Sequence, residues 1–227
     1  MRSGFQRDLL SLEHAVLTLG SMAATAVETS MSALSLRSPT LAQAVVDGDS
    51  ELDERVRIIE ELGLLLIATQ QPMARDLRTI LAALRIAEEL ERIGDYAEGI
   101  GKVALRNLDE VPLPTDCPLA DMYRMSELVT TMLRDSMAAF VDRDLDAARR
   151  IWNDDDVIDD LQRAIYDDIQ RAMRREPAIL TGATRHLWVV HNLERIADRV
   201  TNICERVTSM VTGERAQLKL MTGQASS

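Results

Sequence analysis

Between residues 5 and 26 the apolar residues Phe5, Leu9, Leu12, Val16, Leu19, Ala23 and Ala26 recur at steps of four and three. That spacing draws one stripe along a helix packed on a bundle seam. Met122, Met125, Val129 and Met132 repeat it, and Ile158, Leu161, Ile165, Ile169 and Ala172 repeat it again. No run alternates with period two, and no Asn-Gly or Asp-Gly pair joins two alternating runs, so no sheet is expected.

Proline punctuates these stripes, because it is tolerated in the first turn of a helix and not inside one. Pro39 follows Ser38, a good N-cap, while Pro72, Pro118 and Pro177 each stand ahead of a long periodic segment. Helices are expected at about 5–36, 39–69, 73–107, 118–142, 144–174 and 178–211, with Gly213 as a C-terminal stop. Short connections between long amphipathic helices imply antiparallel neighbours.

The two halves resemble each other. LERIGD at 90–95 returns as LERIAD at 193–198, an offset of 103 residues, and Pro72 is matched by Pro177. Asp49 and Asp53 find partners in Asp155 and Asp159. The expected fold is therefore all-α: two tandem antiparallel three-helix bundles, six long helices with an internal repeat. Residues 1–107 form the first bundle, 108–117 (around the prolines of DEVPLPTDCP) the linker, 118–212 the second bundle, and 213–227 a disordered tail.

Composition narrows the partners more than the fold. A formal charge of −11 argues against unspecific nucleic-acid binding, so no direct nucleic-acid contact is expected. Cys117 and Cys204 are lone thiols without C-x-x-C spacing, which suits a reducing compartment. The opening MRSGFQRDLL has no apolar signal core, and no uninterrupted apolar run of about 18 residues occurs, so no membrane insertion is expected.

The acids carry the candidate chemistry. Leu77, Leu81 and Leu84 lie on one face of the third helix, and towards its C-terminus Glu88, Glu91, Asp95 and Glu98 occupy that face. Ile86, Leu90, Ile93, Ala97 and Ile100 make a second apolar face roughly opposite. The second copy places His191, Glu194, Asp198 and Thr201, with Asn202 adjacent, where the first has its acids. Asp49 with Asp53, and Asp155 with Asp159, add an i, i+4 acid pair to the second helix of each bundle. Like charges at that spacing destabilise an isolated helix by about 0.2–0.5 kcal/mol per pair, and far more when partly buried. Such a face calls for a counter-ion. Oxygen donors with at most one imidazole suit magnesium, manganese or iron. Alternatively the acids are solvated and paired with Arg92, Arg195, Lys102 or Arg199. Gly94, Gly99 and Gly101 fall inside the third helix, where they permit close helix packing.

The repeated E-x-x-x-D within LERIGDYAEGI and LERIADRVTNI resembles the signature of the PhoU family of phosphate-uptake regulators, and QQPMARDLR at 70–78 resembles its turn into the third helix. The resemblance covers about residues 5–212. It implies a cytoplasmic, non-catalytic homodimer that binds divalent or trivalent metal ions (iron, manganese, magnesium or zinc) at the repeated acids. It also implies repression of the phosphate-starvation response, exerted between a phosphate ABC transporter ATPase and a sensor histidine kinase at the inner face of the membrane. By position, Glu91, Asp95, Glu194 and Asp198 are the motif acids and Asn202 the motif Asn, which the first copy replaces with Gly99. Two rivals remain: a metal-independent helical adaptor, and a di-iron carboxylate protein. The latter needs Glu-x-x-His from two helices, whereas the chain has only the reverse order, once, at His191-x-x-Glu194.

Overall fold

The computed structural model describes residues 2–114 and 117–214, so the tail beyond Glu214 lies outside the described residues. Seven α-helices occur there: α1 (Arg2–Leu36), α2 (Pro39–Gln70), α3 (Ala74–Arg106), α4 (Leu119–Asp142), α5 (Leu145–Asn153), α6 (Asp155–Arg175) and α7 (Leu180–Thr212). A 3₁₀ turn at Pro177–Ile179 leads into α7. Ser38 caps α2 with Pro39 in its first turn, and Gly213, at φ 77°, ends α7 in the left-handed conformation. The six-helix plan holds with one difference. The helix expected over 144–174 is broken at Asp154, within the run Asn153–Asp156. Asn and Asp hydrogen-bond competitively with nearby backbone and favour helix ends over interiors.

Helices α1, α2 and α3 pack on one another, and α7 gathers α4, α5 and α6. The two bundles join through α3 against α7 and α1 against α4, which leaves α2 on one flank and α5–α6 on the other. The stripe Leu12, Val16, Leu19 and Ala23 is fully buried. By length and composition α1 is apolar enough to cross a membrane, yet that stripe is spent on α2, α3 and α4. The core face of α3 is Ile86, Leu90, Ile93, Ala97 and Ile100, all fully buried, whereas Leu81 is 41% exposed.

The α3–α7 seam is antiparallel and close to two-fold symmetric within the chain. Glu89 accepts from Asn202 and Arg199 at 3.2 and 3.3 Å, while at the mirrored level Asn192 of α7 reaches the Tyr96 carbonyl of α3 at 3.5 Å. At each end an arginine of one bundle caps the other's third helix. Arg185 donates to the Arg106 carbonyl at 2.6 Å, and Arg78 to the Met210 carbonyl at 3.3 Å. Arg37 and Arg143, both at positive φ at the ends of α1 and α4, reinforce these corners. Arg37 donates to the Asn107 and Glu110 carbonyls, and Arg143 to Glu13 and Thr79.

The expected role of the glycines holds. A Cβ on Gly94 would stand 2.8 Å from Leu52, on Gly99 2.8 Å from the Asn192 amide, and on Gly101 3.3 Å from the Ala42 carbonyl. Only the last of these neighbours is backbone, which cannot swing aside. Gly101→Leu is expected to lower stability by about 1–3 kcal/mol through overpacking of α2 on α3. Gly48→Ala, with open space around it, is expected to raise stability by about 1 kcal/mol through helix propensity. Urea unfolding followed by circular dichroism checks both, and two variants shifting in the same direction would contradict the packing argument.

Candidate functional site

Helices α2 and α3 run antiparallel, which sets the α2 acids against the α3 acids. Asp49 of α2 feels burial first and then the carboxylates of Glu98, Asp95 and Asp53, which together raise its carboxyl to about 6 against a lowering pull from Lys102. Glu91 is raised by burial, Asp95 and Asp53, and Asp95 by burial, Asp53 and Glu98. Four predicted residues, Asp49, Asp53, Glu91 and Asp95, are thereby brought together, with Glu98 as a fifth acid. Gly94 lets α2 come close here: a Cβ on it would stand 2.8 Å from Leu52, within one turn of Asp49 and Asp53.

The second bundle repeats the arrangement between α6 and α7. Burial and then Asp159, Asp198, Glu194 and Asp156 raise Asp155 to about 6. Burial and Asp198 raise Glu194, partly offset by Arg195. The Oε2 of Glu194 is buried without a hydrogen-bond partner among the described residues, with His191 Nδ1 3.5 Å away. His191 also meets the edge of Trp188, with ring centroids 6.0 Å apart.

Three sequence candidates lie at the edges of these clusters or beyond them. Glu88 lines a neighbouring groove of about 330 Å³ with Asp53, Glu91 and Glu60, so it borders the first cluster. Asn202 points into the α3–α7 seam, where its amide donates to Glu89. His191 touches the second cluster only through Glu194. Sequence reasoning passed over Glu89, a buried acid on the seam; its signal was a second glutamate beside Glu88, one position off the acidic face.

Neutralisation by arginine and lysine is uneven. Asp198 pairs with Arg195 at 2.8 Å and lies 3.9 Å from Arg199, and Glu98 pairs with Lys102. Among the described residues Asp49, Asp53, Glu91, Asp95, Asp155 and Asp159 have no Lys or Arg ion-pair partner. Nor do any three His, Cys, Asp or Glu side chains there converge into a ready coordination cage. Each cluster is an acidic face rather than a closed cage. Its carboxylate oxygens are donors of the class that hard cations take.

The family model described as the PhoU domain matches residues 16–104 and again residues 122–207. The chain is 34% identical over 218 residues to a phosphate-specific transport system accessory protein PhoU homolog of Clostridium acetobutylicum, covering 96% of this chain and 98% of that protein. It is 38% identical over 210 residues to the similarly named protein of Caulobacter vibrioides, covering 92% of this chain and 90% of that protein. The crystal structure of the phosphate transport system regulatory protein PhoU from Streptococcus pneumoniae superposes with a TM-score of 0.86 at 29% identity, over 94% of this chain and 99% of that one. PhoU from Pseudomonas aeruginosa gives 0.87 at 27% identity, over 92% and 100%. With both repeats matched and relatives aligned along nearly their whole length, the chain belongs to the PhoU family.

Proposed function

We infer that this chain is an accessory protein of the phosphate transport system, and we propose that it acts as a non-catalytic, metal-dependent regulator. In this reading it couples the transporter's ATPase to a sensor histidine kinase and represses the phosphate-starvation response as a cytoplasmic homodimer. The two partners are those that the family resemblance implies. The observation that carries the metal part is the duplicated set of facing carboxylates, six of which have no Lys or Arg partner among the described residues.

Asp49, Asp53, Glu91 and Asp95 would hold one ion or more in the first bundle, and Asp155, Asp159, Glu194 and Asp198 in the second. A bound cation supplies the positive charge those faces lack. Each face ties a flanking helix, α2 or α6, to the third helix of its bundle, so loading a site stiffens the flank. A partner that favours the stiffened flank would then be favoured in proportion to that preference. The competing reading is an adaptor without metal dependence, favoured by the Arg195–Asp198 and Lys102–Glu98 pairs.

The raised carboxyls also carry a pH signature. Asp49 and Asp155 bind protons in the folded state between their ordinary value of 3.8 and about 6. The folded state therefore holds more protons than the unfolded one across that window, and their contribution to stability falls as pH rises through it. In metal-free buffer the wild type is expected to lose more melting temperature from pH 5 to 7 than the double variant Asp49→Asn/Asp155→Asn does. Equal slopes in differential scanning fluorimetry would remove the electrostatic part of the reading.

Asp95→Asn and Asp198→Asn are each expected to weaken manganese or iron binding by about tenfold or more, measured as metal content after dialysis. Variants retaining wild-type metal would leave the adaptor reading in place. In cells lacking this gene, a starvation reporter is expected to switch on in excess phosphate. The intact chain, but not the Asp95→Asn/Asp198→Asn variant, should restore repression.

A further inference from the structure

The two ends of the α3–α7 seam differ in charge. Near the start of α3 and the end of α7, Arg78, Arg85 and Arg206 line a pocket of about 110 Å³ with Ser209 and Gly213. Among the described residues no carboxylate forms an ion pair with any of the three arginines. The Nε of Arg206 is buried and has no hydrogen-bond partner there. In a chain of net charge −11, three guanidinium groups lining one pocket that no acid lines are an exception that calls for a reason.

Packing does not supply that reason. The offset of 103 residues that relates the two copies of the motif relates the two ends of the seam as well. Through it Arg78 corresponds to Thr181, Arg85 to Trp188 and Arg206 to Val103, so the matching corner is built without these charges. That corner has an arginine of its own, Arg185, and neutralises it with Glu110 at 2.8 Å. The position matching Glu110 is Gly213, which has no side chain, and a Cβ there would press on the Arg78 guanidinium at 3.4 Å.

Helix capping accounts for only part of the cluster. Arg78 Nε donates to the Met210 carbonyl, which leaves its terminal nitrogens for other work. The Ser209 hydroxyl donates to the Glu214 carbonyl, so it offers the pocket no proton. The Gly213 N–H donates to the Ser209 carbonyl at 2.9 Å and helps satisfy the helix end. Among the described residues Arg85 and Arg206 make no such contact. Neighbouring Arg143 is already matched by Glu13 at 3.0 Å.

We propose that Arg78, Arg85 and Arg206 form a binding site for a small tetrahedral oxyanion of the inorganic phosphate type. Guanidinium groups recognise such an ion through paired N–H donors, and the Arg206 Nε supplies a donor that no described residue uses. The site lies on the seam between bundles, and its lining includes none of the acids of either face. An occupied site links α3 to α7, and its ligand is bound by charge and geometry rather than by a metal.

The test is titration of metal-stripped, full-length protein with inorganic phosphate at constant ionic strength, read by calorimetry and by the arginine Nε–Hε resonances in NMR. Saturable binding is expected, together with a shift of the Arg206 Nε–Hε signal. Arg85→Gln, which alters an exposed side chain, and Arg206→Gln should each weaken binding at least tenfold. The Asp95→Asn/Asp198→Asn variant should bind phosphate as the wild type does, which separates this site from any phosphate held through metal. Sulfate should compete and chloride should not. The absence of saturable binding, an unchanged affinity in Arg85→Gln, or loss of binding in the acid-face variant would overturn the proposal.

Discussion

The whole molecule depends on α3 and α7 each packing within its own bundle and against the other. On α3, Ile86, Leu90, Ile93, Ala97 and Ile100 fill the core of the first bundle. Glu89, Tyr96 and Gly99 meet α7 across the seam. The third sector carries Gly94 and Gly101 against α2, with Glu91, Asp95 and Glu98 along its margin. A helix with 100° per residue has room for three such sectors only if each is narrow. The acids thus fall along the margin between core and solvent, where Asp95 is exposed and Glu91 and Glu98 are half-buried.

That placement explains why the electrostatics of the two clusters run against local expectation. Asp155 is the first residue of α6, where the helix dipole favours an ionised carboxylate by about 0.3–1 kcal/mol. Its carboxyl is nevertheless pushed up to about 6, because burial and four neighbouring acids act the other way. The same balance at Asp49, deep within α2 and far from any helix end, gives nearly the same result. Two positions with different local fields converge because the tertiary arrangement, facing acids on antiparallel helices, dominates both.

Much of this architecture was readable in the chain. The heptad stripe of α1, the prolines before α2, α4 and α7, and the paired LERIGD and LERIAD segments led to the six-helix plan and its repeat. The acid faces were readable too, since i, i+4 spacing alone places Asp49 with Asp53 and Asp155 with Asp159. What the chain hid was whatever depends on two helices meeting. The break at Asp154 turned on the competition of several Asn and Asp side chains for backbone, which periodicity does not register. Asn202 looked like part of the acidic face, yet a rotation of one position sends it to Glu89 instead. Leu77, Leu81 and Leu84 looked like a core stripe, but α3 buries its other apolar face more deeply.

The seam also decides what a change at one cluster can be felt by. Asp198 belongs to the second acidic face and approaches Arg199 at 3.9 Å, while Arg199 donates to Glu89 of the opposite bundle at 3.3 Å. Arg199 is nearly buried and its Nε has no partner among the described residues, so it has little solvent to fall back on. Removing one member of a buried ion pair typically costs about 3–5 kcal/mol, well above the 0–1 kcal/mol of a surface pair. Any event that draws Asp198 away from Arg199 therefore leaves the Glu89 contact to hold that guanidinium alone. The acidic face and the inter-bundle seam in this way meet at one charged group, Arg199.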